Sequence, residues 1–361
     1  MKTATIRGTT GPPSAVADPQ MMTAVVQDAY GSADALRLAQ ITTPDIAGNE
    51  VLLRVHAAGV DRGTWHLMTG QPYLVRLVAG LRKPKNPVPG LDVAGTVVRV
   101  GPGVARFSVG DEVFGFSKGS FAEYAVAGQS KLARKPANVT FEQAAAVPVS
   151  AATALLALTD AGRVRPGEKV LVTGASGGVG SYAVQLAKAF GAEVTAVCST
   201  AKAELVRSLG ADHVIDYTTE DFADGSRRYD LILDIAGNPG VSRLRRALAP
   251  AGTAVIVGGE EGGRWTGGMG RQLRALVLSP FLRQRLVMLT PKQRASDLEQ
   301  LTEFIEAGTV TPSIDRIYPL EQVPDAMRYL AAGQARGKVV ITTGTGAAPQ
   351  SGSRSTRPEG A

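Results

Sequence analysis

The sequence predicts an α/β protein of two lobes, a β-rich lobe followed by a lobe built on a doubly wound parallel sheet. Three observations carry this. A β-branched run, Lys169 to Thr173, stops at Gly174-Ala175-Ser176-Gly177-Gly178-Val179-Gly180 and resumes as an apolar-periodic stretch through Val184, Leu186, Ala187 and Phe190. Strand-like and helix-like segments then alternate as far as Gly258, the pattern of a parallel sheet with helices on both faces. Before Pro148 the chain instead runs as short strand-like segments cut by glycine and proline turns, which suits a compact, mostly antiparallel unit.

Composition bounds the reading. The 361 residues allow two domains of ordinary size, and a hydrophobic content of 44% is enough for real cores. No apolar run reaches the ~18 residues of a membrane span. One cysteine, Cys198, excludes an internal disulfide framework and suits a reducing compartment, so a cytoplasmic location is expected. The formal charge of +7 invites a nucleic-acid reading, but much of the excess sits in two local stretches. Aromatics at 5% leave few stacking platforms, and no nucleic-acid partner is expected. Residues 1–20 and 344–361 are small, polar and rich in Pro and Gly, and read as a disordered extension and tail.

In the first lobe the strand-like runs are Thr23 to Val26, Glu50 to Ala58, Ala94 to Val100, Glu112 to Phe116 and Phe121 to Val126. Between the second and third lies a stretch rich in functional side chains: Asp61, Arg62, Trp65, His66 and Tyr73. In the second lobe, Gly174-x-x-Gly177-Gly178-x-Gly180 is one residue longer than G-x-G-x-x-G. Its place between a strand and a helix is the context in which such a loop admits a pyrophosphate to backbone N–H groups at a helix N-terminus. Gly191 caps that helix, and Glu193 to Cys198 is the next strand. Helix Lys202 to Leu209 and strand His213 to Asp216 follow, then strand Asp230 to Ile235, helix Val241 to Leu248 and strand Thr253 to Val257.

The end of the second strand selects the cofactor. A carboxylate there would hold the ribose 2′-OH of NAD. The chain has Cys198-Ser199-Thr200-Ala201-Lys202 instead, with Tyr217 just past the third strand. Two hydroxyls and an ammonium suit a 2′-phosphate, so NADPH is expected.

The order of motifs, Gly90-Leu91-Asp92-Val93-Ala94-Gly95, Val109-Gly110-Asp111-Glu112-Val113 and then the glycine turn, resembles the medium-chain dehydrogenase/reductase superfamily. Within it the sequence is most similar to the zinc-independent quinone oxidoreductase group. Val194 to Ser199 and Val214 to Tyr217 look like the reticulon-interacting mitochondrial NADPH oxidoreductases and their bacterial relatives. The resemblance covers roughly residues 22–343 and implies a GroES-like catalytic domain over 21–149. It further implies a Rossmann cofactor domain over 150–312, a return to the catalytic domain over 313–343, and a homodimer. It places Ser176, Gly177, Gly178 and Val179 on the pyrophosphate, and Ser199, Lys202 and Tyr217 on the 2′-phosphate and adenosine. Thr153, Gly258 and Lys338 are further cofactor contacts that it implies.

Where the zinc-dependent branch has a cysteine turn and Gly-His-Glu, this chain has Gly59-Val60-Asp61 and Gly90-Leu91-Asp92. Catalytic zinc takes about three protein ligands and structural zinc about four. Cys198 with His56, His66 and His213 builds neither site, so no metal is expected; a hard-cation site on Asp61, His66 and Asp92 is the disfavoured alternative.

Without a Lewis acid, hydride transfer suits acceptors that spread charge by conjugation, with donors on the developing oxyanion. Thr64, Trp65, His66 and Tyr73 are the candidate donors. Asp61 stands where the quinone reductases of the family often carry Asn. Trp65 and Tyr73 serve equally well as wall or core, and His66 as an ordinary polar surface residue. The expected function is reduction of a quinone, enone or carbonyl, with a small-molecule electron acceptor as partner. The alternatives are an enoyl-thioester reductase and a non-catalytic NADPH-binding regulator.

Two basic stretches stand outside this scheme. Arg76, Arg82, Lys83 and Lys85 lie in a span without acids, as do Arg264, Arg271, Arg274, Arg283, Arg285, Lys292 and Arg294. The second reads as an apolar-rich helix broken near Pro280. Packing with a solvated basic face is the preferred role over contact with anionic lipid.

Overall fold

In a computed structural model of the chain, residues 21–258, 283–290 and 292–344 are described. β1 (Met21–Val26) and β2 (Arg37–Thr42) form a separate antiparallel ribbon with Met21 opposite Thr42. β3 (Glu50–Val60) is the spine of the first lobe and is shared by three cores, Ala57 belonging to the one that continues into the second lobe. Val51, Leu53 and Val55 pack with Val97, Val113 and Leu132, while Ala58 and Val60 pack with Phe121, Val339 and Ile341. Burial of nearly every side chain explains why this run lacks the alternation of a half-exposed strand.

After β3 come α1 (Arg62–Thr69) and the single turn α2 (Arg76–Ala79), then β4 (Asp92–Val100) and β5 (Glu112–Phe116). β6 (Tyr124–Gly128) starts three residues later than the sequence pattern suggests, because the backbone before it bonds to β1 instead: the Val25 N–H donates to Phe121 O and the Glu123 N–H to Thr23 O. β7 (Leu132–Arg134) closes this part of the sheet. α3 (Phe141–Ala145) carries a capping box in which Thr140 and Gln143 exchange hydrogen bonds, and α4 (Pro148–Leu156) leads into the second lobe.

That lobe is a six-stranded, all-parallel sheet. β8 (Lys169–Thr173), α5 (Gly178–Ala189), β9 (Glu193–Cys198), α6 (Ala203–Ser208) and β10 (His213–Asp216) form one half. β11 (Tyr229–Asp234), α7 (Val241–Ala247), β12 (Leu248–Ile256) and β13 (Arg285–Met288) form the other. The strand order, β10-β9-β8-β11-β12-β13, reverses between β8 and β11.

β13 corrects the sequence reading, which took Arg285, Leu286 and Val287 into a helix. Leu286 is 3% exposed in a cluster with Ile232, Leu244 and Ile256. The open edge of β12 also offers ladder partners that a short apolar run cannot reveal. The part of the expected helix that holds Arg264, Arg271 and Arg274 lies outside the described residues.

β14 (Ile314–Pro319) and β15 (Lys338–Thr342) return the chain to the first lobe: β15 pairs antiparallel with β3, Val339 opposite Val60. The first lobe's sheet therefore runs β14-β15-β3-β4-β5-β7, with β6 also on β3. Among the described residues no helix is long and apolar enough to cross a membrane.

Candidate active site

The crevice lies at the strand-order reversal, where an open α/β sheet leaves room beyond the carboxyl ends of its strands. Gly174 ends β8 with φ +63°, and a Cβ there would come within 2.7 Å of Ala236 Cβ just past β11. Gly180 lets α5 sit directly on this turn, since a Cβ would lie 2.1 Å from Gly174 O. The N-terminus of α5, capped by Gly177, therefore points its first N–H groups and positive dipole end at the crevice. Ser176, Gly177, Gly178 and Val179 all line a cleft of about 550 Å³ that runs between the lobes. The Gly337 N–H donates to Ser176 O at 2.9 Å, tying the loop to the chain that enters β15.

One end of the cleft is lined by Ser199, Lys202 and Tyr217. Lys202 Nζ donates to Gly333 O at 3.1 Å and Ala335 O at 2.9 Å, which leaves its third N–H for a ligand. Burial pulls its ammonium below the ordinary lysine value, and nearby Arg336 pulls the same way. Tyr217 is 63% exposed and offers a ring face at the rim. The end of β9 carries no carboxylate. Asp216, at the end of β10, is held by the Thr200 and Thr218 hydroxyls, and these bonds keep its carboxyl below the usual range. Cys198 also lines the cleft, but its thiol is 2% exposed and is pushed up by burial and by Asp216.

The other end is lined by Asp61, Arg62 and His66. Asp61 is the N-cap of α1: its two carboxylate oxygens accept the Thr64 N–H and the Thr64 hydroxyl, both at 2.9 Å. His66 Nδ1 lies 2.7 Å from Gln71 O. A carbonyl only accepts, so Nδ1 carries a proton and Nε2 is the ring atom left for a ligand.

Trp65 and Tyr73, expected as donors, do not line the cleft. Trp65 packs against the core that contains Met68 and Phe121, with Arg62 5.5 Å above its ring. Tyr73 lies under the Arg76 guanidinium at 4.6 Å. A turn of helix carries adjacent side chains to different faces, and His66 took the inward one.

Thr153, Gly258 and Lys338 line the cleft between its ends. Thr153 donates its hydroxyl to Val149 O at 2.6 Å. Lys338 is buried and donates to Asp92 Oδ2 and Ser150 Oγ, each at 3.1 Å, while Asp92 Oδ1 accepts the Val149 N–H at 2.8 Å. Ser150, Arg336 and the pairing of Asp92 with Lys338 escaped the sequence reading. Arg336-Gly337-Lys338 was the only local signal for them.

The possible metal ligands are committed elsewhere. His56 bonds Thr96 Oγ1 at 3.0 Å and stacks on Phe141, and His213 bonds Glu193 at 3.0 Å. Asp61 caps a helix and Asp92 pairs with Lys338. Among the described residues no group of three or more His, Cys, Asp or Glu side chains is placed to hold a metal ion. By contrast, a glycine turn that a Cβ would fill, a helix N-terminus behind it and a carboxylate-free end of β9 fit a nicotinamide dinucleotide.

Residues 47–137 match the alcohol dehydrogenase GroES-like domain, and residues 209–341 match the family described as zinc-binding dehydrogenase. The chain is 36% identical over 342 residues to the NADPH-dependent alkenal/one oxidoreductase, chloroplastic, of Arabidopsis thaliana, covering 90% of this chain and 80% of that protein. It is 32% identical over 361 residues to the NAD(P)H oxidoreductase RTN4IP1, mitochondrial, of Mus musculus, covering 89% of each. The solved quinone oxidoreductase from Coxiella burnetii superposes with a TM-score of 0.80 at 28% identity, over 90% of this chain and 99% of that one. Likeness in sequence and in fold along the same span leaves one assignment: the chain belongs to the medium-chain dehydrogenase/reductase superfamily, close to its quinone oxidoreductases and reticulon-interacting NAD(P)H oxidoreductases.

Proposed function

We propose that the chain is a zinc-independent oxidoreductase that uses NADPH to reduce a quinone, an enone or another activated carbonyl compound. The observation that carries this reading is a single cleft joining Lys202 and Tyr217, the glycine turn, and Asp61 with His66. The cofactor, when bound, supplies hydride to an electrophilic carbon of the acceptor.

The chain's own residues do the rest. Ser199, Lys202 and Tyr217 hold the 2′-phosphate and adenosine. Ser176 to Val179 hold the pyrophosphate with backbone N–H groups, and Thr153, Gly258 and Lys338 shape the wall between. Asp61 fixes the first turn of α1 and so sets where His66 stands. When Nε2 carries a proton, His66 donates it to the oxygen on which charge develops. Conjugated acceptors spread that charge themselves, which suits a cleft whose carboxylates and imidazoles do not gather as metal ligands. Trp65 and Tyr73 act from behind the cleft, as support for α1.

The homodimer and the cytoplasmic location expected from the sequence belong to this proposal. The Arabidopsis and mouse relatives bear organelle names, so fractionation of the native cell decides the location. The function is tested by following NADPH oxidation at the nicotinamide absorbance with quinones, enones and aldehydes, beside NADH and EDTA controls. Turnover on quinones or enones that prefers NADPH and ignores the chelator supports it. Loss of turnover with EDTA overturns zinc independence, and tight NADPH binding without turnover on any acceptor overturns the enzyme.

A further inference from the structure

The segment after α1 presents an apolar face to solvent. Leu74, Leu77, Val78 and Leu81 are 41%, 66%, 73% and 69% exposed. Leu74, Leu77 and Val78 lie on two consecutive helical turns, Tyr73–Val75 and Arg76–Ala79, and Leu81 follows just past the break at Gly80 (φ +124°). The other large apolar side chains exposed among the described residues are scattered along the chain, as on any soluble surface. A gathered patch marks an interaction surface.

The patch is held in place rather than left loose. Arg76 lies 4.6 Å from the rings of both Tyr30 and Tyr73, and its Nε donates to Gly70 O at 3.0 Å. The Tyr30 hydroxyl donates to Gly80 O at 2.6 Å, and the Lys85 N–H to Ala79 O at 2.7 Å. Arg82, Lys83 and Lys85 stand exposed beside the aliphatic side chains. Among the described residues none of the three pairs with a carboxylate, and no acid occurs between Arg62 and Leu91.

Aliphatic side chains rimmed by unpaired cations match the chemistry of a bilayer surface carrying anionic headgroups. We propose that Leu74, Leu77, Val78 and Leu81, with Arg82, Lys83 and Lys85, dock this protein on an anionic lipid surface. The contact is peripheral: the aliphatic groups enter the boundary between headgroups and acyl chains, and the cations pair with headgroup phosphate or carboxylate. The patch begins close to the cleft, because His66 lines the cleft and bonds Gln71, three residues before Leu74. Resting on the reading of quinone or enone reduction, docking brings the cleft to an apolar acceptor dissolved in the bilayer.

The test uses the full chain, sedimented with vesicles of phosphatidylcholine alone and with about 30% phosphatidylserine. Each Lys or Arg at an anionic surface strengthens binding about five-fold. Partition at least about ten-fold greater on the anionic vesicles is therefore expected, falling as salt is raised. Leu77→Ser with Val78→Ser should reduce it about ten-fold, and separately Lys83→Gln with Lys85→Gln about 25-fold. Turnover on a short-chain, water-soluble quinone should stay unchanged in both variants.

Equal partition on the two vesicle types, or variants that bind like the parent, overturns the proposal. So does a dimer in lipid-free solution that the Leu77/Val78 variant dissociates, since the face is then covered by a second copy. Failure of the parent on every soluble acceptor would count against the reductase and leave the vesicle result standing.

Discussion

Lys338 Nζ lies 3.1 Å from Asp92 Oδ2, although 246 residues separate the two in sequence. Both side chains are almost wholly buried, so the pair acts as an internal clamp. It joins β15 to β4 and, through Ser150 and the Val149 N–H, to the start of α4. A Cβ on Gly178 would stand 3.2 Å from Lys338 Cδ, so the clamp also forms the floor beneath the first turn of α5.

Burial raises the Asp92 carboxyl from its ordinary 3.8 to about 6, with Lys338 as the main opposing influence and Asp61 adding to the rise. Its folded value exceeds its unfolded one. Its favourable contribution is therefore complete below about pH 4 and is lost as pH rises through about 6. Lys338→Met removes the charge that opposes this loss. At pH 8 the variant should lose about 3–5 kcal/mol of stability, and distinctly less at pH 5, where a protonated Asp92 needs no counter-charge. Urea unfolding at the two pH values checks this, and equal losses would contradict it.

Lys202→Gln should weaken NADPH more than NADH. A charge-assisted hydrogen bond to a 2′-phosphate is worth about 1.5–3 kcal/mol, so KM for NADPH should rise about ten-fold or more while KM for NADH barely moves. Initial rates with both cofactors give the ratio, and a uniform rise would place Lys202 in structure alone.

Gly180→Ala puts a methyl group 2.1 Å from Gly174 O. α5 must then move off the turn or the turn must open, an overpacking that costs about 1–3 kcal/mol. A lower Tm and NADPH binding weakened about ten-fold or more are expected, read by thermal melting and by titration of cofactor fluorescence. An unchanged dissociation constant would show that the pyrophosphate does not depend on this contact.

His66→Asn keeps a polar group on α1 but removes the imidazole. If His66 donates to the developing oxyanion, kcat should fall about 10²-fold with the NADPH dissociation constant unchanged. A change in KM alone would make His66 a wall of the acceptor pocket.

The layout of the cofactor lobe is legible in the order of residues alone. Glycines and β-branched runs between Lys169 and Asp234 act within a few residues, so the order of strand, turn and helix could be read without tertiary contacts. The same local chemistry marked Ser176 to Val179, Ser199, Lys202 and Tyr217, all of which line one cleft. Which neighbours in Arg62–Thr69 face that cleft depends on the packing of the folded chain, because a helix sends Trp65 and His66 in different directions. That packing alone joined Asp92 to Lys338, made Arg285–Met288 a strand by giving it β12 as a partner, and left Leu77 and Val78 in solvent. Each of these depends on what lies across space from a residue, and periodicity along the chain does not name that neighbour.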